Sequence, residues 1–309
     1  MTRVRVMLDY VHPWPNAAGF YVARERGWYD EVGLDVELTT HDYARGDTLA
    51  HLARGEVDFG VFPSNRLLVR RECHEPLVGV AAVNQTGLET IQVRRSAGID
   101  RPRELAGHRI GYGQTPRGRA MVSHLVSRDG GDASKVLSVD STAHELTPAY
   151  LVSSGLDAIF GGYWCWDVLT RDVPEDEVLT WRVDEIGAPA YHSYLLGTRE
   201  AMLEQNPELV RGFVQATARG FVEAAADMPR TLELLARAIP YQPRWRLERS
   251  LELVATSWFY ERRFGAQRAE ELIAPYAAFL ASYGVLADQD VWKDATTNEF
   301  LDGVPVSRN

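Results

Sequence analysis

The strongest constraint on this 309-residue chain is an exchange of hydrophobic periods that runs twice. Val4, Val6 and Leu8 alternate with polar residues, the period of a half-buried strand. Ala17, Phe20, Tyr21, Arg24 and Trp28 then recur at helical spacing, and Gly33 is placed to end that element. Alternation returns over 34–38. A short helix is predicted over 48–54, a strand over 57–62, a helix over 64–72 and an apolar strand over 77–83. Strands separated by helices pair in parallel, with the helices covering both faces of the sheet. The rhythm restarts at about residue 89. Strands are predicted over 90–94, 109–113, 136–139 and 157–160, with helices from Pro116, behind a Thr115 cap, and over 145–152. From Glu200 onward the spacing is nearly all helical: Leu209, Phe213, Ala216 and Gly220 share a face, as do Leu251, Val254, Trp258 and Arg262, then Leu272, Tyr276 and Leu280. The expected fold is α/β, with two doubly wound, mainly parallel lobes and a helical C-terminal region. Lobe one takes 1–88 plus 195–309 and lobe two 89–194, joined by crossovers near 85–90 and 187–197. A ligand cleft is expected between them, where strand carboxyl ends and helix N-termini gather.

The length suits two lobes better than one small core. Net charge is −10 with acidic and basic residues interspersed, which argues against nucleic acid and against an anionic membrane surface. No run approaches the ~18 apolar residues of a membrane span. The first fifteen residues lack the apolar core of a signal peptide, so the sequence as it stands points to the cytoplasm, or to an extracytoplasmic protein whose leader has been removed. Two cysteines, Cys73 and Cys165, make neither a disulfide framework nor a multi-cysteine zinc site, and leave one pairing open. The lysines are Lys135 and Lys293, and neither sits in a motif.

Some motif matches carry no chemistry. Asp58-Phe59-Gly60 lacks every other kinase signature. Cys73-His74-Glu75 are adjacent and would diverge on a helix, so no metal is assigned. Two strand-to-helix junctions hold more. In the first, DYVHPWPNAAGFY, two prolines fix an irregular loop that holds Tyr10, His12, Trp14 and Asn16 outside regular structure. In the second, GYGQTPRGRAM, a helix N-terminus with Gln114, Thr115, Arg117 and Arg119 is attractive to anions, or is simply a capped helix with its arginines in water. A third stretch, GGYWCWDVLT at 161–170, crowds Tyr163, Trp164, Cys165, Trp166 and Asp167. Trp164 and Trp166 are two apart, in what reads as a turn starting a helix. One is expected in the core and the other in a pocket, as a stacking platform edged by Asp167.

These stretches together resemble the periplasmic-binding-protein-like family that includes the yeast thiamin-pyrimidine synthase and bacterial pyrimidine-precursor, taurine and aliphatic-sulfonate binding proteins. LDYVHPWPNAAGFYVARERGWYDEVGLDVEL resembles the family's opening, LARGEVDFGVF its early turn and strand, and DRPRELAGHRIGYGQTP its passage into the second lobe. GLDAIFGGYWCWDVL and TTNEFL resemble segments of the pyrimidine-binding subgroup. The resemblance implies a class II two-lobed fold closing on a small molecule, usually for delivery to an ABC permease. In the subgroup an aminopyrimidine stacks on aromatics while a carboxylate pairs with its amino group. Tyr163, Trp164, Trp166 and Asp167 match the aromatic segment, with Cys165 in place of Asn and Asp167 in place of Glu. Pro189-Ala190-Tyr191-His192-Ser193 stands where the subgroup has P-D-Y-Y-E, so Ser193 replaces the pairing carboxylate. Trp14 stands where the family has small polar residues.

Two functions follow as expectations. The first is a substrate-binding protein of an ABC importer, closing on a pyrimidine-like heteroaromatic with no cofactor. Its contacts would come from Tyr10, Trp14, Asn16, Phe62, Ser64, Asn65, Gln114, Thr115, Arg117, Tyr163, Trp164, Asp167, Tyr191 and His192. The second is a cytoplasmic enzyme on the same fold, with His12 or His192 as general base beside Cys165 or Asp167. Iron and pyridoxal chemistry of the yeast-synthase kind is disfavoured, because the chain has no cysteine cluster and no lysine before Lys135.

Overall fold

The computed structural model describes residues 1–10, 12–40, 43–141, 143 and 145–304. The chain forms two compact units. Unit one comprises Met1–Thr86, Tyr191–Ala278 and Leu286–Asn309, and unit two comprises Gly87–Ala190 and Phe279–Val285. The sequence reading left the short segment 279–285 with the first lobe. Phe279 and Tyr283 instead pack their rings on His124 of unit two.

Unit one holds strands β1 (Thr2–Leu8), β2 (Leu34–Thr40), β3 (Phe59–Pro63) and β4 (Leu77–Ala82). Unit two holds β5 (Glu89–Arg94), β6 (Arg109–Tyr112), β7 (Leu137–Asp140), β8 (Ala158–Tyr163) and β9 (Val178–Arg182), and β10 (Tyr194–Arg199) returns to unit one. The first sheet runs β2-β1-β3-β10-β4, with β1 parallel to β2 and β3 and the late strand β10 inserted antiparallel. The second runs β7-β6-β8-β5-β9, where β6 is parallel to β7 and β8 and β5 is antiparallel to β8 and β9.

The helices are α1 (Ala18–Glu25), α2 (Trp28–Glu31), α3 (Thr48–Ala53), α4 (Ser64–Glu72), α5 (Pro116–Arg128) and α6 (Pro148–Ser154), then α7 (Glu200–Gln205), α8 (Pro207–Ala226), α9 (Met228–Ala238), α10 (Arg244–Ala255) and α11 (Ala274–Ser282). The expected face of α8 is the buried one: Phe213, Ala216 and Gly220 turn inward. Phe213 stacks on Phe59 with ring centroids 4.1 Å apart, within the range where aromatic pairs attract. Helices α1 and α8 meet backbone to backbone. A Cβ on Gly220 would lie 2.0 Å from the Gly19 carbonyl oxygen, so only glycine fits the crossing. A short hairpin, Phe259–Tyr260 with Arg263–Phe264, interrupts the helical region where helical spacing was expected through Arg262.

This topology gathers particular residues at the carboxyl edge of each sheet. In unit one they are Asp9 after β1, Ser64 after β3, Asn84 after β4 and Tyr191–Tyr194 leading into β10, whose Tyr194 pairs with Pro63. In unit two they are Gln114–Arg117 after β6, the aromatic stretch after β8, and Glu89, which lies opposite Tyr163.

Candidate functional site

The unit-one edge is built around a buried carboxyl group that the sequence reading did not single out. Asp9 is 9% exposed, and its Oδ2 has no hydrogen-bond partner among the described residues. Burial pushes its pKa up to about 6, partly offset by hydrogen bonding from its own backbone and from the side chains of Trp14 and Tyr194. The group therefore sits poised between acid and carboxylate near neutral pH. The Trp14 and Tyr194 side chains reach it. Trp14 and Tyr10 are 1% and 4% exposed, with centroids 5.7 Å apart, and the half-buried His12 ring stands edge-on to Tyr10 at 5.1 Å. The two prolines hold this arrangement, and Pro15 opens the single turn that leads into α1. Tyr10, His12 and Trp14 are thus brought together, but Trp14 is buried and Asn16 lies within the short turn of helix Pro15–Ala17, where the loop reading expected all four residues outside regular structure.

The other expected unit-one residues have structural work. Asn16 is locked in a buried amide network. It exchanges hydrogen bonds with Asn84 at 3.1 and 2.8 Å and accepts from Trp258 Nε1 at 3.1 Å, while Asn84 also donates to Ser257 Oγ at 2.8 Å. Ser64 donates to the His192 carbonyl at 2.6 Å. His192 lies 3.1 Å through Nδ1 from the Asn84 carbonyl and accepts the Arg268 backbone N–H at Nε2, also at 3.1 Å. Those partners fix the Nδ1–H tautomer. Burial lowers its pKa to about 4, so it is neutral at physiological pH. With both nitrogens occupied by backbone, His192 does not present a general base. Phe62 is in the core, where its ring fills the space beside Gly197. Tyr191 is buried and stacks on Tyr276 at 4.7 Å. Asn65 is half-buried on the first turn of α4.

Unit two assembles differently from the expected platform. Arg117 is not an anion clamp in water: it is buried and forms a two-pronged ion pair with Glu89, both bonds 2.5 Å, with its guanidinium 5.7 Å above the Phe160 ring. Thr115 is exposed and caps α5 by accepting from the Gly118 N–H at 3.0 Å, and Gln114 is half-buried. After β8 the chain makes a turn and no helix follows. Asp167 accepts the Tyr163 N–H at 2.7 Å, and the Tyr163 carbonyl accepts from Trp166 and Val168. Both tryptophans are buried. Trp166 is fully enclosed, and Trp164 donates to the Gly87 carbonyl at 3.1 Å while the Arg182 guanidinium covers its ring at 4.0 Å. The sequence reading expected one core ring and one pocket ring; both are buried, and the Arg182 guanidinium lies over one face of Trp164. Tyr163 is the half-exposed ring of the three. Cys165 is fully buried and Cys73 exposed, and no disulfide joins them.

Two carboxylates, Asp9 and Glu89, were missed by sequence reasoning. A signal for Asp9 existed in its position, the first residue after an apolar strand and just before the aromatic loop. Glu89 begins its strand as an ordinary exposed-looking charge, and nothing local marks Arg117 as its partner.

Comparison with known proteins fixes the lineage. The family model described as NMT1/THI5 like matches residues 14–231. The chain belongs to that family. It is 28% identical over 234 residues to a formylaminopyrimidine-binding protein of Halalkalibacterium halodurans, covering 75% of this chain and 69% of that one. It is 25% identical to a 4-amino-5-hydroxymethyl-2-methylpyrimidine phosphate synthase of Legionella pneumophila, over 77% of this chain and 74% of that one. A solved structure of the ligand-binding component of an ABC-type import system from Staphylococcus aureus superposes with a TM-score of 0.74 at 12% identity, covering 99% of both chains. The fold is the two-lobed periplasmic-binding-protein-like one expected from the sequence.

Proposed function

We propose that this member of the NMT1/THI5-like family binds a small pyrimidine-related heteroaromatic and serves as the substrate-binding component of an ABC importer. The observation that carries the reading is Asp9, a buried carboxyl group with an unmatched oxygen, beside Trp14 and Tyr194 and next in the chain to the buried Tyr10. An aminopyrimidine edge offers a ring-nitrogen acceptor beside an N–H donor. A carboxyl group whose pKa is about 6 matches that edge in either form. As the acid it donates to the ring nitrogen and accepts from the amino group; as the carboxylate it accepts two N–H bonds from the protonated base. The flat faces then lie among the aromatic rings. In this reading Asp9 supplies the carboxylate that Ser193 does not.

A sulfonate fits this edge poorly, since it is anionic at all ordinary pH values and would face Asp9, while Arg117 is already paired with Glu89. The names of the relatives in Halalkalibacterium and Staphylococcus support binding and import. The synthase names are not matched by a pyridoxal-ready lysine. Lys135 and Lys293 are exposed and sit in ion pairs with Asp132 and Asp290. Import would require the protein outside the cytoplasm, the second of the two locations considered from the sequence, and fractionation of native cells tests that.

The direct test is a thermal-shift panel of aminopyrimidines, other heteroaromatics and alkanesulfonates. A ligand at 100 times its Kd adds about 2.7 kcal/mol, which should raise Tm by roughly 4 °C. Shifts confined to sulfonates, or absent throughout, would remove the proposal.

A further inference from the structure

We propose that a cavity in unit one, walled by His51 and two arginines, is a binding site for a small phosphomonoester. Asp9, Tyr10, Trp14 and Tyr194 do not line it, so the inference stands apart from the pyrimidine reading.

The cavity measures about 420 Å³, and its wall includes Arg5 and Met7 of β1, His51 of α3, Arg45, Glu56 and Val57. Arg5 and Met7 are two apart on a strand and so share one face of the sheet. After α3, Gly55 takes φ +71°, a conformation that suits glycine, and the Glu56 N–H returns to the His51 carbonyl at 3.0 Å. With the chain turned back in this way, Glu56 Oε2 lies 2.5 Å from His51 Nδ1.

Two observations identify the ligand class. The first is the His51 ring. His51 is 4% exposed, and its Nε2 has no hydrogen-bond partner among the described residues. Hydrogen bonding from Arg54 lowers the Glu56 pKa to about 2, with His51 and Arg45 adding to it against the opposing effect of desolvation. Glu56 is therefore a carboxylate, and Nδ1–H donates to it. A buried ring nitrogen without a partner is costly, and a ligand oxygen would remove that cost. Once the ring carries its second proton, which a bound anion favours, Nε2–H donates to that oxygen.

The second observation is the balance of donors and charge. Glu56 accepts from Arg45 at 3.0 Å and from Arg54 at 3.0 and 3.2 Å, so with His51 both its oxygens are engaged. Arg5 donates to the Gly55 carbonyl at 3.3 Å and stands 3.9 Å from Asp58. A guanidinium has five N–H donors, so Arg5 and Arg45 keep several for a ligand. Arg5, Arg45, Arg54 and an imidazolium His51, set against Glu56 and Asp58, leave a surplus of two positive charges. That surplus matches a phosphomonoester, which carries close to two negative charges at neutral pH, better than a carboxylate or a sulfonate with one. The volume is that of a small-molecule site rather than of a bare ion, and the buried Met7 and Val57 give an organic group apolar surface.

Calorimetry at pH 7 with phenyl phosphate, benzoate, benzenesulfonate and benzylamine as probes tests this. Phenyl phosphate should bind with a Kd of about 1 mM or tighter, and each of the other three at least about tenfold more weakly. His51→Asn keeps a partner for Glu56 but removes Nε2, and should weaken phenyl phosphate roughly tenfold. Arg5→Gln changes a partly exposed side chain and should weaken it roughly threefold, with Tm held within about 2 °C, so weakened binding is not weakened folding. Phenyl phosphate that fails to bind, or binds no more tightly than any of the other three, overturns the inference. So does an affinity that neither substitution changes. Neither result touches the pyrimidine proposal, whose own probes are different.

Discussion

Two buried titratable residues govern the pH response, and they act in opposite senses. The Asp9 pKa is raised from 3.8 to about 6, so the stability it permits is full below pH 3.8 and is lost as pH rises through 6. The His192 pKa is lowered from 6.5 to about 4, so the unfolded chain takes up its proton first and stability is lost as pH falls from 6.5 toward 4. Each shift is worth about 3 kcal/mol, and across pH 4 to 6 the two largely cancel. Single substitutions should unmask them. Asp9→Asn should be more stable than wild type at pH 8 by up to about 3 kcal/mol and lose stability on acidification. His192→Gln should show the reverse slope. Denaturant titrations at half-unit pH steps measure both, and parallel profiles for wild type and Asp9→Asn would refute the assignment. Trp14 and Tyr10 were legible because aromatics in a proline-bracketed loop are conspicuous. For Asp9 only its position after an apolar strand was legible, because its partner Tyr194 lies far along the chain.

At the scale of elements, the sequence showed where strands hand over to helices but not what their ends do. The 161–170 stretch reads as a helix start from its spacing, yet Asp167 ties the chain back to the Tyr163 N–H and closes a turn. The preceding glycines make that turn possible. Gly161 has φ +123°, and a Cβ on Gly162 would lie 2.3 Å from the Leu146 carbonyl oxygen. Gly162→Ala should therefore destabilise by about 2 kcal/mol or more, readable as a lower urea midpoint with unchanged slope. Arg117 illustrates a second limit. Its position at a helix N-terminus suggested anion binding, but Glu89 had already claimed it from another strand. Because the pair is largely buried, Glu89→Ala should cost about 3 kcal/mol by leaving the guanidinium without its counter-charge, whereas a free anion clamp would be stabilised by the same change. Strands β9 and β10 left no clear period. β9 is half-exposed along most of its length, and β10 carries Gly197 where Phe62 packs too closely for any side chain.

For the whole molecule, the double α/β rhythm was sufficient to give the two-lobed fold, because parallel strands with intervening helices allow few arrangements. What it could not give was the insertion of β10 into the first sheet or the passage of 279–285 to unit two, both of which depend on contacts between distant segments. The proposed binding function likewise rests on residues from several elements meeting at one sheet edge. Isothermal titration calorimetry with 4-amino-5-hydroxymethyl-2-methylpyrimidine, and with an alkanesulfonate of similar size, tests this most directly when wild type and Asp9→Asn are compared at pH 7. The account predicts micromolar or tighter binding of the pyrimidine to wild type, at least tenfold weaker binding to Asp9→Asn, about 1.4 kcal/mol or more, and no heat from the sulfonate. Equal pyrimidine affinity for the two proteins, or binding of the sulfonate alone, would contradict it.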